Sequence, residues 1–348
     1  MNDDLIRLGW QNHFEQQISP EEREQLLLGR VGAHHGSQIL FLTCESEITV
    51  PVSIVEQSSV SDIAVGDWFL LEPNDHRAVR RLDRKTVLSR KAAGDTVKPQ
   101  LIAANVDTVF IVSSCNEDFN PSRLERYLAL VLESEATAVV VLTKADLSDD
   151  PDSLKQIASA LHPGLIVETL DARDEHQVQI LDHWCGPGQT VALVGSSGVG
   201  KSTLANALGG HNIATQGIRE DDAKGRHTTT ARSMHLLHAG GWLIDNPGMR
   251  ELQLADCEQG VADLFDDIVQ LTAHCRFRNC SHRGDAGCAL EEAVDSGELE
   301  ERRLVNYLKL QNEQARNSAT LAERRERDRK QGRFYKSVIE GKKKRRER

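Results

Sequence analysis

The chain has 348 residues, 39% hydrophobic and 27% charged, with a formal net charge of −11. That length suits two or three domains with real cores, and no apolar run approaches the roughly 18 residues of a membrane span. The start Met1-Asn2-Asp3-Asp4 is acidic and unlike a signal peptide, so a cytoplasmic protein without membrane contact is expected. Seven cysteines is an odd number. Three of them lie near one histidine, which suggests metal rather than disulfides in a reducing compartment. The charge is uneven: Glu323–Arg348 holds 13 Lys/Arg against 5 Asp/Glu, a local +8 that leaves −19 for residues 1–322. Such a tail is either a solvated helix end or a contact for a polyanion.

In chain order, residues 1–25 read as a short amphipathic lead in which Trp10 and Phe14 pack rather than react. Five short strands follow: Gly29–Ala33, Gln38–Thr43, Ile48–Val55, Asp67–Glu72 and Ala78–Leu82. They suggest a small β-barrel of the oligonucleotide/oligosaccharide-binding (OB) type within residues 1–90. Lys91–Gln100 reads as a polar linker. Strands and helices then alternate over 100–257: strand Val106–Val112, helix Pro121–Glu133, strand Ala138–Leu142, helix Ser153–Leu161, strand Leu165–Val167, helix His176–Trp184, strand Val191–Val194, helix Lys201–Leu208, and strands Met234–Leu237 and Trp242–Ile244. That alternation predicts an α/β domain with a mostly parallel sheet. Residues 258–322 read as helical apart from a cysteine cluster, and 323–348 as the basic tail.

Gly195-Ser196-Ser197-Gly198-Val199-Gly200-Lys201-Ser202 matches GxxxxGK[ST] between an apolar strand and a helix, the context a phosphate loop requires. Its N–H groups cradle phosphates, Lys201 neutralises β/γ charge, Ser202 offers a hydroxyl to Mg²⁺, and Thr203 reaches the α-phosphate. Asp245-Asn246-Pro247-Gly248 fits DxxG at a strand end: Asp245 holds Mg²⁺ through water and the Gly248 N–H meets the γ-phosphate. Between them lies Lys224-Gly225-Arg226-His227-Thr228-Thr229-Thr230, where a switch segment belongs. Thr230 is favoured to complete the Mg²⁺ shell, with Thr229 close behind.

Thr143-Lys144-Ala145-Asp146 follows the strand Val139–Leu142 and reads as the guanine reader. Asp146 accepts from the guanine N1–H and N2–H₂ edge, which adenine cannot supply. Lys144 covers the base plane. Thr143 stands where NKxD has Asn, which puts in question the tie from that position to the phosphate loop. The base reader precedes the phosphate loop, the reverse of the ordinary order, so the chain reads as a circularly permuted GTPase. Cys275, Cys280, His282 and Cys288 form a closed tetrahedral zinc set, one structural Zn²⁺ per chain. Cys44, Cys115, Cys185 and Cys257 read as plain core or surface residues.

This order of motifs, with Gly225–Thr230 and Cys275-x₄-Cys280-x-His282-x₅-Cys288, resembles the RsgA (YjeQ/YloQ) family over most of the chain. The resemblance implies an OB-fold, a permuted P-loop GTPase domain and a mainly helical zinc-binding domain. It also implies GTP hydrolysis to GDP, stimulated by the small ribosomal subunit, with 16S rRNA contact and late subunit assembly as the setting. A monomer is expected. Asp171-Ala172 stands for the last guanine-contacting segment. Met249 follows Gly248 where many GTPases carry a catalytic glutamine. His227 is therefore the catalytic candidate, its alternative being a structural tie in the loop. A nucleotide-gated RNA-binding module with incidental turnover is the rival reading.

Overall fold

The computed structural model describes residues 3–55, 63–91, 99–209, 232–245 and 257–318. The lead forms α1 (Asp3–Arg7), α2 (Asn12–Glu15) and α3 (Pro20–Gln25). Ser19 starts α3 with a reciprocal capping box: its hydroxyl accepts from Glu22 N–H, and the Glu22 carboxylate accepts from Ser19 N–H. Trp10 and Phe14 are buried, and Trp10 meets Trp68 edge-on at 4.9 Å. The lead is packing, as its spacing suggests.

The five strands expected next are present as β1 (Leu27–His35), β2 (Gln38–Leu42), β3 (Glu47–Pro51), β4 (Trp68–Leu71) and β5 (Ala78–Arg81), all paired antiparallel. β1 pairs with β2 and, at Leu27–Arg30, with β4; a bulge between Val31 and Ala33 bends it. Of the linker expected over Lys91–Gln100, residues 92–98 lie outside the described residues. Its two ends belong to strands: β6 (Val87–Lys91) and β7 (Pro99–Ala104) pair antiparallel. Arg90 Nε donates to Gln100 Oε1 across that pair at 3.0 Å.

The α/β part runs β8 (Thr108–Ser114), α4 (Pro121–Glu133), β9 (Thr137–Thr143), α5 (Pro151–Ser159), β10 (Ile166–Thr169), α6 (Glu175–Val178), β11 (Thr190–Gly195), α7 (Lys201–Gly209), β12 (Arg232–Leu236) and β13 (Trp242–Asp245). The helix expected over 176–184 is α6 followed by a 3₁₀ turn, Gln179–Trp184. β8 and β11 are buried at every position, because helices cover both faces of the sheet. Along β8, Val109 and Ile111 face one core, and Phe110 and Val112 face the other.

Spatial order fixes the topology. The strands lie β10-β9-β8-β11-β13-β12, parallel except for the β12–β13 pair. The chain therefore leaves the centre twice, through β8-β9-β10 one way and through β11-β13-β12 the other. Moving the β8–β10 segment behind β13 would put the phosphate loop first and the base reader late. The cut and rejoined order read from the motifs is thus present in the sheet. The direction reverses between β8 and β11, and in such open sheets ligands bind outside the carboxyl ends of the strands at that point.

The last part holds α8 (Glu258–Leu264), α9 (Asp266–Thr272), α10 (Ala289–Asp295) and α11 (Glu301–Ser318). It packs on α4. Gly260 lets α8 cross closely, since a Cβ there would overlap the carbonyl oxygen of Ala129. Glu125 of α4 is fully buried and accepts from Arg302 Nη1 at 3.0 Å and from Asn306 Nδ2 at 2.5 Å. Arg126 binds Glu313 of α11 through two contacts of 2.7 Å. Among the described residues no helix is long and apolar enough to cross a membrane.

Candidate functional site

The phosphate loop leaves the carboxyl end of β11 and opens α7, so the N–H groups of a helix start face the site. Gly195, Gly198 and Gly200 take φ of 143°, 80° and 94°, the left-handed region where glycine is favoured. At Gly195 a side chain would also overlap the carbonyl oxygen of Val112 on the neighbouring strand. Lys201 Nζ lies over the loop and donates to the carbonyls of Gly195, at 2.8 Å, and Ser196. Its ammonium is thus held at the rim where β/γ-phosphate charge would lie. Ser202 is half-buried and Thr203 exposed on the first turn of α7.

Thr143 ends β9 and is fully buried. Its hydroxyl lies 2.5 Å from the carbonyl oxygen of Val199, to which it donates, and 3.1 Å from that of Ser113. The tie to the phosphate loop that the missing Asn put in question is therefore made by the threonine. Lys144 follows in a left-handed conformation, φ 58°, which turns the chain so that Ala145 and Asp146 lie past the strand end. Ala145 N–H donates to Leu170 O at 3.3 Å and Leu170 N–H to Leu142 O at 2.9 Å, binding the loops after β9 and β10 together. Asp146 accepts from Arg173 Nη2 at 2.6 Å.

Asp171-Ala172, the segment expected to touch guanine last, follows β10. Ala172 is buried, while the Asp171 carboxylate accepts from Arg173 Nε and Nη2, both at 3.1 Å. The Arg173 guanidinium, then its backbone N–H, hold the Asp171 carboxyl below the usual carboxylate range. Arg173 and Arg123 are residues that the motifs missed. Arg123, in the first turn of α4, donates to Ser196 Oγ at 2.9 Å and ties that helix to the phosphate loop. Its signal was the Asn120-Pro121 start that caps α4 beside the loop.

Asp245 ends β13, next to β11. Its side chain, and His227, Thr228, Thr229, Thr230, Gly248, Met249 and the tail 323–348, lie outside the described residues.

The ligand atoms of Cys275, Cys280, His282 and Cys288 lie within 4.8 Å of one another. His282 Nδ1 is 3.6 Å from Cys275 Sγ and 3.5 Å from Cys288 Sγ. With Zn–S of about 2.3 Å and Zn–N of about 2.0–2.1 Å, a tetrahedral ion sets nitrogen and sulfur about 3.5 Å apart. The donor set and its spacing therefore fit zinc. His282 and Gly287 have φ of 56° and 76°, which folds the loop around this point. The other thiols read as expected: Cys115, Cys185 and Cys257 are buried and Cys44 is half-buried. Burial pushes Cys115 up to about 11 and Cys185 up to about 12, so neither is a thiolate near neutrality.

The family model described as RsgA GTPase matches residues 81–255. A relative from Vibrio parahaemolyticus, "Small ribosomal subunit biogenesis GTPase RsgA 2", is 52% identical over 98% of this chain and 94% of its own length. The chain belongs to the RsgA GTPase family. Among solved structures, YjeQ from Thermotoga maritima is similar at 25% identity and a TM-score of 0.57, covering 83% of this chain and 99% of that one. YloQ, described as a circularly permuted GTPase, shares the fold at 20% identity and a TM-score of 0.60, covering 87% of this chain and 100% of that one. A model described as ABC transporter matches residues 178–345. What the two family matches share includes the β11–phosphate loop–α7 unit, which P-loop proteins have in common. Thr143–Asp146 and Gly195–Ser202 meet at the switch point of this sheet through the Thr143–Val199 contact.

Proposed function

We propose that the chain hydrolyses GTP to GDP and phosphate in the late assembly or maturation of the small ribosomal subunit, with that subunit and its 16S rRNA as partners. The observation that carries this is the Thr143–Val199 contact, which joins base reader and phosphate loop into one site. The name of the Vibrio relative supports the ribosomal setting. Lys144 and Asp146 select guanine; Gly195–Lys201 and Thr203 hold the phosphates. Ser202 and Thr230 are the proposed Mg²⁺ ligands, with Asp245 acting through water and the Gly248 N–H on the γ-phosphate. An ion held there would neutralise charge developing on the phosphoryl oxygens. His227 is proposed to orient the attacking water, since Met249 cannot. The Cys275–Cys280–His282–Cys288 set holds one structural Zn²⁺. The working division is 1–90, 100–257, 258–322 and a basic tail 323–348, in a cytoplasmic monomer.

Turnover of GTP with and without purified small subunits tests the proposal. Stimulation by subunits is expected. Met249 keeps a second reading in view, a nucleotide-gated RNA-binding module. GTP-dependent subunit binding without any rise in turnover would select that reading and sink the first.

A further inference from the structure

We propose that Arg173, held by Asp171, is a positioning residue that aims the Asp146 carboxylate at the guanine edge and so sharpens base specificity. The inference rests on the reading of Asp146 as the guanine reader. An exposed carboxylate turns broadly about its last torsion. Two parallel hydrogen bonds to N1–H and N2–H₂ require its plane to be fixed. Asp146 stands at the end of the loop, with its side chain 31% exposed, and Arg173 Nη2 meets its Oδ2 at 2.6 Å.

Arg173 is itself anchored. Its Nε and Nη2 bind Asp171, and its backbone N–H donates to Asp171 Oδ1 at 3.0 Å. Asp171 is anchored in turn, its N–H donating to Gln177 Oε1 at 2.9 Å. Gln177 Nε2 donates to Asp174 Oδ2 at 2.9 Å, and the Asp174 side chain caps α6 by accepting from His176 N–H. The orientation of Asp146 is thus carried back to a helix start. Arg173 uses Oδ2 alone. Each carboxylate oxygen accepts two hydrogen bonds, so Oδ1 and a second site on Oδ2 are left for the base. Asp171 therefore acts on the base through two residues, Arg173 and Asp146.

The test compares dissociation constants of GDP and inosine diphosphate, whose base lacks the 2-amino group, for the full chain with Mg²⁺. Arg173→Gln and Asp171→Asn should each reduce the GDP preference about two- to fivefold, the span of an exposed ion pair. Arg173→Lys should restore part of it, and 1 M salt should bring the native chain to the level of Arg173→Gln. Equal weakening of both nucleotides in Arg173→Gln would mean plain packing on the base and overturn the proposal; so would an unchanged preference. Asp146→Asn separates the two readings. If it leaves the preference intact, Asp146 is not the reader. If it abolishes the preference while Arg173→Gln does nothing, only the role of Arg173 fails.

Discussion

Replacing Thr143 by valine removes one hydroxyl and keeps the shape. Thr143 is 0% exposed and Val199 1% exposed, so no water stands ready to replace the lost donor. The carbonyl of Val199 loses its partner, at a cost of about 1–3 kcal/mol for a buried unpaired group. The tie has a directional consequence as well. In a trans peptide the C=O and the following N–H point opposite ways. Holding Val199 C=O on Thr143 turns the Gly200 N–H the other way, toward the phosphate side. Thr143→Val should therefore weaken GDP binding about 5- to 30-fold, the equivalent of 1–2 kcal/mol. Thr143→Ser keeps the donor, so its affinity should stay within about twofold, while the lost methyl costs about 1 kcal/mol of stability. Titration calorimetry with GDP and Mg²⁺, alongside thermal melting, reads both quantities. Native affinity and native melting in Thr143→Val would refute the reasoning that this hydroxyl shapes the loop.

Three further outcomes are expected. Gly260→Ala forces a methyl against the Ala129 carbonyl and within 2.8 Å of Glu133 N, so α8 must shift from α4. The melting point should fall, by about 1–3 kcal/mol or more of stability; an unchanged melt would mean that the crossing is loose. Metal analysis should find one Zn²⁺ per chain, lost in Cys280→Ala. Structural zinc contributes roughly 10–16 kcal/mol of apparent binding energy, so the 275–288 region should open while nucleotide binding persists, and a metal-free chain that keeps its native proteolytic pattern there would count against zinc. Deleting 323–348, a local +8, should weaken subunit binding and flatten its salt dependence by about 0.7–0.9 log units per lost phosphate contact; matching slopes would make the tail a solvated appendage.

Much of the α/β part was legible because its strands are buried on both faces. Val139–Leu142 and Val191–Val194 are unbroken apolar runs, and α4 spans the Pro121–Glu133 expected of it. The phosphate loop was legible because its glycines are demanded by backbone geometry rather than by packing. The β6–β7 pairing was hidden: Arg90 and Gln100 meet across it through polar side chains, and composition alone takes polar residues for a linker. The helix over 176–184 looked continuous because apolar spacing does not distinguish an α-turn from a 3₁₀ turn over so few residues. Thr143 and Arg173 were unreadable for another reason. Their partners, Val199 and Asp146, are 56 and 27 residues away, and only the folded sheet sets them side by side.

The sheet order also explains what the permutation achieves mechanically. In the unpermuted order, β13 would lead on to β8. Here the chain enters β8 from the β6–β7 hairpin and leaves β13 toward α8. The cut thus attaches an additional unit at each of its ends. β12 pairs with β1 of the N-terminal sheet at Ala33–Ser233 and His34–Arg232. α8 packs on α4, whose first turn reaches Ser196 of the phosphate loop through Arg123. In sequence, the proposed switch segment around Thr230 stands between α7 and β12, and Gly248 stands between β13 and α8. Each segment therefore connects a strand or helix of the α/β part to an element joined to an appended unit. Coupling is a free energy shared between sites through such contacts. If Thr230 and Gly248 meet the γ-phosphate and its ion as proposed, a difference between GTP and GDP would be felt in chain segments that continue directly into β12, paired with β1, and into α8, packed on α4.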